Sequence, residues 1–147
     1  MSSAFEEGDP SSPIVLVGEA PSHSEIREAR PFVGPAGQLL DRLLHSAQIA
    51  RVTTYILNVF DNQIVKKNQD ASKIYSQEGT LLWSSSKGFT EAGIINSAGC
   101  RERLEACEAN VIVPLGGPAL HLCVDVRSPM KWRGSILKGI QGRKVVP

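Results

Sequence analysis

Residues 14–17, Ile-Val-Leu-Val, pass directly into Gly18-Glu19-Ala20-Pro21-Ser22-His23 and then, by way of Glu25, into Arg30-Pro31-Phe32-Val33-Gly34-Pro35-Ala36-Gly37. Carboxylates, an imidazole and an aromatic ring therefore follow an apolar run inside a loop dense in Gly and Pro. The run is short and β-branched, which suits a strand buried on both faces, and Gly18 marks a point where backbone comes close to something else. Ligands of open parallel sheets sit beyond such carboxyl ends. Asn58 closes a second apolar run, and Gly116-Gly117 close a third just ahead of a helix. Taken singly, each residue has an ordinary reading: Phe32 as core packing, Asn58 as a strand-end cap or turn residue, and Glu25 as a solvated acid at a helix start.

The elements that must position these side chains follow from periodicity. The first strand covers 14–17. Residues 35–49 form the clearest helix, with Leu39, Leu40, Leu43, Leu44 and Ala47 on one face and Pro35 in the first turn. Residues 53–59, rich in β-branched and aromatic types, give a second strand. From 62 to 88 periodicity is poor, and the stretch reads as an excursion with one helical turn. Residues 90–109 are helix formers interrupted by Gly93 and Gly99, with Cys100, Leu104 and Cys107 as an apolar stripe. A third strand at 111–115 leads through Gly116-Gly117 into a helix at 118–124, whose start points at the same edge as Gly18. Residues 144–146 supply a fourth strand. The prediction is an α/β fold: a three-layer α/β/α sandwich around a four-stranded parallel sheet with right-handed crossovers. Residues 1–12 are expected to be a mobile leader and 13–147 a single domain.

At 147 residues, 41% hydrophobic and 21% charged, the chain has the size and composition of one globular domain. A formal charge of +1 neither announces nor excludes nucleic acid, since a local groove can be basic on a nearly neutral protein. Cys100, Cys107 and Cys123 make an odd number without close spacing, which reads as reduced thiols. The first 13 residues are polar, with Glu6, Glu7 and Asp9, unlike a signal peptide, and no run of about 18 apolar residues could span a membrane. A cytoplasmic or nucleoid-associated, intracellular monomer is expected.

The order Gly18-Glu19-Ala20-Pro21, Glu25, Arg30-Pro31-Phe32-Val33-Gly34 and Ala36-Gly37-Gln38-Leu39-Leu40 resembles the first motif of the family 4 and family 5 uracil-DNA glycosylases. Asn58-Val59 resembles the segment after that family's second strand, residues 111–120 its third strand and following helix, and Arg133-Gly134 another recurrent element. The resemblance touches four segments in order and leaves out the stretch from 61 to about 99. It implies a DNA-binding, monofunctional hydrolase of base excision repair, which flips a uracil out of DNA and breaks its N-glycosidic bond. It further implies that Phe32 stacks on uracil and that Asn58 pairs with its edge. An amide donates to O4 and accepts from N3–H, whereas cytosine offers the opposite pattern, a mismatch costing about 1–3 kcal/mol. Glu25 falls where a carboxylate crowds C5 and rejects thymine. Backbone amides around the segment Gly18, Glu19, Ala20 and Pro21, in which Pro21 has no N–H of its own, hold the uracil carbonyls, and Glu19 and Asn58 stand as the catalytic candidates. Ser22, His23, Gly116 and Gly117 are the expected DNA contacts.

Departures from the resembling enzymes, above all in the cysteines and at the end of the given sequence, qualify that picture. Family 4 enzymes carry four cysteines for an iron–sulfur cluster, two of them ahead of the first strand. This chain has none before Cys100, and Phe60-Asp61-Asn62 stands where another ligand would lie, so no cofactor and no metal are expected. Ala20 stands where the distantly related family 1 enzymes have a water-activating Asp and, as in families 4 and 5, provides no general base; Glu19 either orients water or ties the loop together. His23 is either a DNA phosphate contact or a surface residue. In the resembling enzymes a strand like 143–147 leads into a His-Pro-Ser loop, and a positioned His is worth about 10²–10⁴ in rate; the given sequence ends at Pro147. Two readings therefore stand, a glycosylase and a non-catalytic or truncated DNA- or uracil-binding module of the same fold. A phosphate-binding α/β domain built on Gly116-Gly117 has no Gly-x-Gly-x-x-Gly or Walker pattern behind it.

Overall fold

The computed structural model describes residues 5–124, 132 and 134–147. Its main sheet has six strands. In chain order these are β1 (Glu6–Glu7), β2 (Ile14–Gly18), β3 (Thr54–Asn58), β8 (Val111–Pro114), β9 (Leu137–Lys138) and β10 (Lys144–Val145), and they lie side by side as β1-β3-β2-β8-β10-β9. The four anticipated strands occupy the centre and run parallel. The sheet as a whole is mixed, because β1 and β9 pair antiparallel on its two edges. The expected four-stranded parallel sheet is thus a six-stranded mixed one. Both added strands are two residues long, too short to show a period.

Strand β1 lies within residues 1–12, the stretch expected to be a leader. Glu6 and Glu7 sit in register with Leu57 and Ile56, and the Phe5 carbonyl accepts the Asn58 N–H at 3.0 Å. Tyr55 donates its hydroxyl to Glu6, so an acid from the polar N-terminal stretch closes over an apolar strand.

Alternation along the strands distributes the core to both faces. Leu16 and Ile56 meet Leu40 and Leu44 of helix α2 (Pro35–Ser46), joined by the partly buried Phe32 and Ile49. On the other face Val15, Val17, Tyr55, Leu57, Ile112 and Val145 pack with Cys100, Leu104 and Leu120, from helices α4 (Ala98–Ala106) and α5 (Gly117–Val124). All five residues of β3 are buried, which is the burial expected of a central strand in an α/β sheet.

The stretch read as an excursion is instead a second, antiparallel sheet: β4 (Ile64–Val65), β5 (Lys73–Ser76), β6 (Leu81–Ser84) and β7 (Gly88–Phe89), in that spatial order. Ile74, Leu82 and Trp83 bury themselves in the larger core cluster, so it is part of the folding unit. The helical stretch that follows is broken at the fully buried Ser97, giving α3 (Glu91–Asn96) and then α4. The interruption is therefore at Ser97, while Gly93 lies within α3 against the Leu82 carbonyl of β6.

Candidate uracil-recognition site

Parallel register brings the three chemically interesting strand ends to one edge. Gly18 is the partner of Asn58 in the β2–β3 ladder, and the pairing continues past it: Val59 N–H donates to the Gly18 carbonyl and Phe60 N–H to that of Glu19, both at 2.9 Å. On the other side Leu115 N–H donates to the Val17 carbonyl at 2.8 Å. Gly116 follows in the left-handed region at φ 108 and accepts the Leu120 N–H as α5 begins. The Gly116-Gly117 step and the Gly18 loop thus share an edge, as the spacing predicts.

Phe32 is brought to this edge by its loop. A Cβ on Gly18 would lie 2.3 Å from Phe32 Cζ and 2.8 Å from Asn58 Oδ1. Ring, amide and bare backbone therefore converge on a volume smaller than a methyl group. Asn58 is 2% exposed, so its side-chain amide is buried beside Gly18. Phe32 itself has φ 53, a conformation uncommon for a bulky L-residue. Gly37 makes room for it, since a Cβ there would lie 1.8 Å from the Phe32 carbonyl oxygen.

The remaining loop residues divide. Ser22 caps helix α1 (His23–Glu28), accepting the Glu25 N–H at 3.3 Å, while Glu25 Oε2 accepts the Ser22 N–H at 2.6 Å. This reciprocal capping box holds Glu25, which is 8% exposed, in a fixed place beside the loop. Ser22 has its hydroxyl engaged in the cap, and His23 is exposed in the first helical turn. Pro21 is buried and Ala20 packs against the larger core cluster. Glu19 pairs with Lys66, just past β4, at 2.7 Å. This ion pair links the Gly18 loop to the second sheet. His121 stacks on Phe89 with ring centroids 5.2 Å apart, and His45 lies in α2, so neither belongs to this edge. Arg133 lies outside the described residues.

The cysteines do not suit an iron–sulfur cluster. All three are buried free thiols. Burial raises the pKa of Cys100 and pushes that of Cys123 up to about 12, which disfavours the thiolates a cluster needs. Cys107 Sγ takes a hydrogen bond from Arg143. Asp61, where the resemblance puts a further ligand, faces Arg103 at 4.0 Å, and burial raises its carboxyl pKa against that charge. Among the described residues no group of three or more His, Cys, Asp or Glu side chains could hold a metal ion.

Two cations escaped sequence reasoning. Lys66 comes from the stretch that showed no period. Arg51 sits between α2 and β3 and donates to the Pro31 and Phe32 carbonyls, 20 and 19 residues away. Its local sequence carries no signal of those partners.

A model of the uracil DNA glycosylase superfamily matches residues 5–147. The chain belongs to that family. It is 32% identical over 143 residues to the type-4 uracil-DNA glycosylase of Thermotoga maritima, an alignment covering 96% of this chain and 65% of the relative. Shorter stretches match the type-4 uracil-DNA glycosylases of Archaeoglobus fulgidus, 46% identical over 52 residues, and Pyrobaculum aerophilum, 45% over 53. These two cover 35% and 36% of the chain, and 26% and 27% of the relatives. The chain thus spans 65% of the length of the Thermotoga relative, and family membership rests on the whole chain rather than on the first loop alone.

Proposed function

We propose that this chain recognises uracil in DNA through Gly18, Phe32 and Asn58, and that it serves hydrolysis of the uracil N-glycosidic bond in base excision repair. The observation that carries the reading is the convergence of the Phe32 ring and Asn58 Oδ1 on the space above Gly18. A flipped base needs a ring to stack on and a polar group to read its edge, and that pair meets here at a sheet's carboxyl edge. Stacking on Phe32 contributes about 1–3 kcal/mol, and the Asn58 amide distinguishes uracil from cytosine. Glu25, fixed by its capping box, supplies the carboxylate beside C5. In this reading the backbone N–H groups of residues 18–20 hold the uracil carbonyls.

In the reaction the C1′–N1 bond breaks with its electron pair on uracil. Water then adds hydroxide to C1′ and the remaining proton goes to the base. Uracil leaves as a stabilised anion, so donors aimed at its carbonyls lower the barrier by electrostatic preorganisation. Ala20 brings no carboxylate to the water, and Glu19 is held by Lys66. That pairing is also what favours the second reading, a module that binds uracil in DNA without cleaving it. His23, Gly116 and Gly117 flank the strand ends and contact the DNA in either case, with Ser22 shaping the helix start beneath them. With DNA as its partner, the protein acts in this reading as an intracellular monomer. No helix among the described residues is long and apolar enough to cross a membrane.

Incubating the purified chain with uracil-containing DNA and then treating with alkali separates the two readings. Strand cleavage at uracil above a buffer control supports the glycosylase. Binding with a preference for uracil over thymine but no cleavage supports the module, and neither binding nor cleavage rejects both.

A further inference from the structure

Arg51 opens the short 3-10 turn Arg51–Thr53, and its side chain is only 15% exposed. Its planar fork faces the loop that carries Phe32. Nη2 donates to the Pro31 carbonyl at 2.6 Å and Nη1 to the Phe32 carbonyl at 2.9 Å. The same guanidinium is anchored from behind: Nη1 donates to Asp41 Oδ1 of α2 at 3.0 Å, and Nε to Glu7 Oε2 of β1 at 2.8 Å. The other oxygen of Glu7 accepts from Arg30 Nε at 2.6 Å, one residue before Pro31. One arginine therefore ties strand β1, helix α2 and two successive carbonyls of the Phe32 loop into a single cluster.

Phe32 needs such support. A bulky residue at φ 53 holds that conformation only where its surroundings over-determine it. Gly37 provides the space for the Phe32 carbonyl, but space alone does not hold an oxygen in place. Arg51 supplies the attraction. A lysine has the charge without the flat, multiply donating fork that can reach both carbonyls and both carboxylates.

We propose that Arg51, backed by Glu7 and Asp41, is a positioning residue that sets the Phe32 ring against Gly18 and thereby determines uracil preference. The proposal rests on the reading of Phe32 as the stacking ring. Strand β1 then has a part in recognition although it lies at the sheet's edge.

The test compares duplex oligonucleotides containing one deoxyuridine or one thymidine in its place, with affinities read by fluorescence anisotropy and folding checked by thermal melts. The variants are Phe32→Leu, Arg51→Gln, Arg51→Lys, Glu7→Gln and the double Phe32→Leu/Arg51→Gln. Arg51→Gln is expected to weaken uracil-DNA binding about tenfold with little change for thymine DNA. Arg51→Lys recovers only a small part. The double variant is no weaker than Phe32→Leu alone, because Arg51 acts through the ring. Glu7→Gln keeps Arg51 and removes one anchor, so it gives a smaller loss of preference and serves where Arg51→Gln fails to fold. If Phe32→Leu abolishes the preference while Arg51→Gln and Glu7→Gln retain it, the positioning role is overturned and the ring's role stands. Additive losses in the double variant overturn it equally. An unaffected Phe32→Leu overturns both the proposal and the reading beneath it.

Discussion

A methyl group at position 18 would meet the Phe32 ring on one side and the Asn58 carbonyl oxygen on the other. Gly18→Ala is therefore expected to push one of them out of place, lowering uracil-DNA affinity about tenfold or more, which an anisotropy titration would register. Wild-type affinity in this variant would mean that ring and amide do not recognise the base together. Asn58→Asp removes the donor to O4 while keeping the shape, so the ratio of uracil to cytosine binding should fall. Phe32 and Asn58 are singled out in the sequence only by the resembling motif and its spacing to Gly18, since alone they read as core packing and a strand-end cap; the fold sets all three side by side. Arg51 and Lys66 were not legible there, since their partners are assembled by the fold from residues 10 to 47 positions away. Ser22 and Glu25 form a local capping box, a signal present in the sequence at three-residue spacing that the reading of both residues as site contacts passed over.

At the scale of elements, the central strands were legible because burial on both faces demands continuous apolar runs. Strands β1 and β9, two residues each, and the second sheet left no period to read. Strand β1 nevertheless has energetic weight through Glu7. Burial alone would raise the pKa of that carboxyl, but hydrogen bonds and charges from Arg30 and Arg51 outweigh it and hold the pKa below the usual carboxylate value. A group whose folded-state pKa is lowered contributes stability at pH above its unfolded value and loses it as pH falls through the folded one. Glu7→Gln should thus destabilise the chain at neutral pH, with the difference from wild type shrinking in acid; denaturant midpoints measured across that range would show it. A constant difference at every pH would assign the loss to packing instead. Helix α4 offers a second case. Arg143 donates to the Leu104, Glu105 and Cys107 carbonyls at 2.9, 3.3 and 2.8 Å, closing the helix's C-terminal end from the neighbouring strand. Arg143→Met should cost about 1–3 kcal/mol in urea unfolding, and a loss below a few tenths would show that water serves those carbonyls as well.

Across the whole molecule, two sheets share one apolar core, and the parallel centre of the larger one sets three strand ends side by side. The cysteines belong to that core and not to a metal centre. A thiol reagent at pH 8 should leave the native chain unlabelled and modify all three thiols only after denaturation; rapid native labelling would contradict their burial. The central claim is that uracil is read where Gly18, Phe32 and Asn58 meet. Its most direct test is the backbone amide NMR spectrum of the labelled chain, recorded with a single-stranded oligonucleotide containing uracil and with the same strand containing thymine. The shifts that differ between the two spectra should cluster at residues 18–20, at Phe32 and at Asn58. Differences centred elsewhere, or identical spectra with both strands bound, would contradict the site.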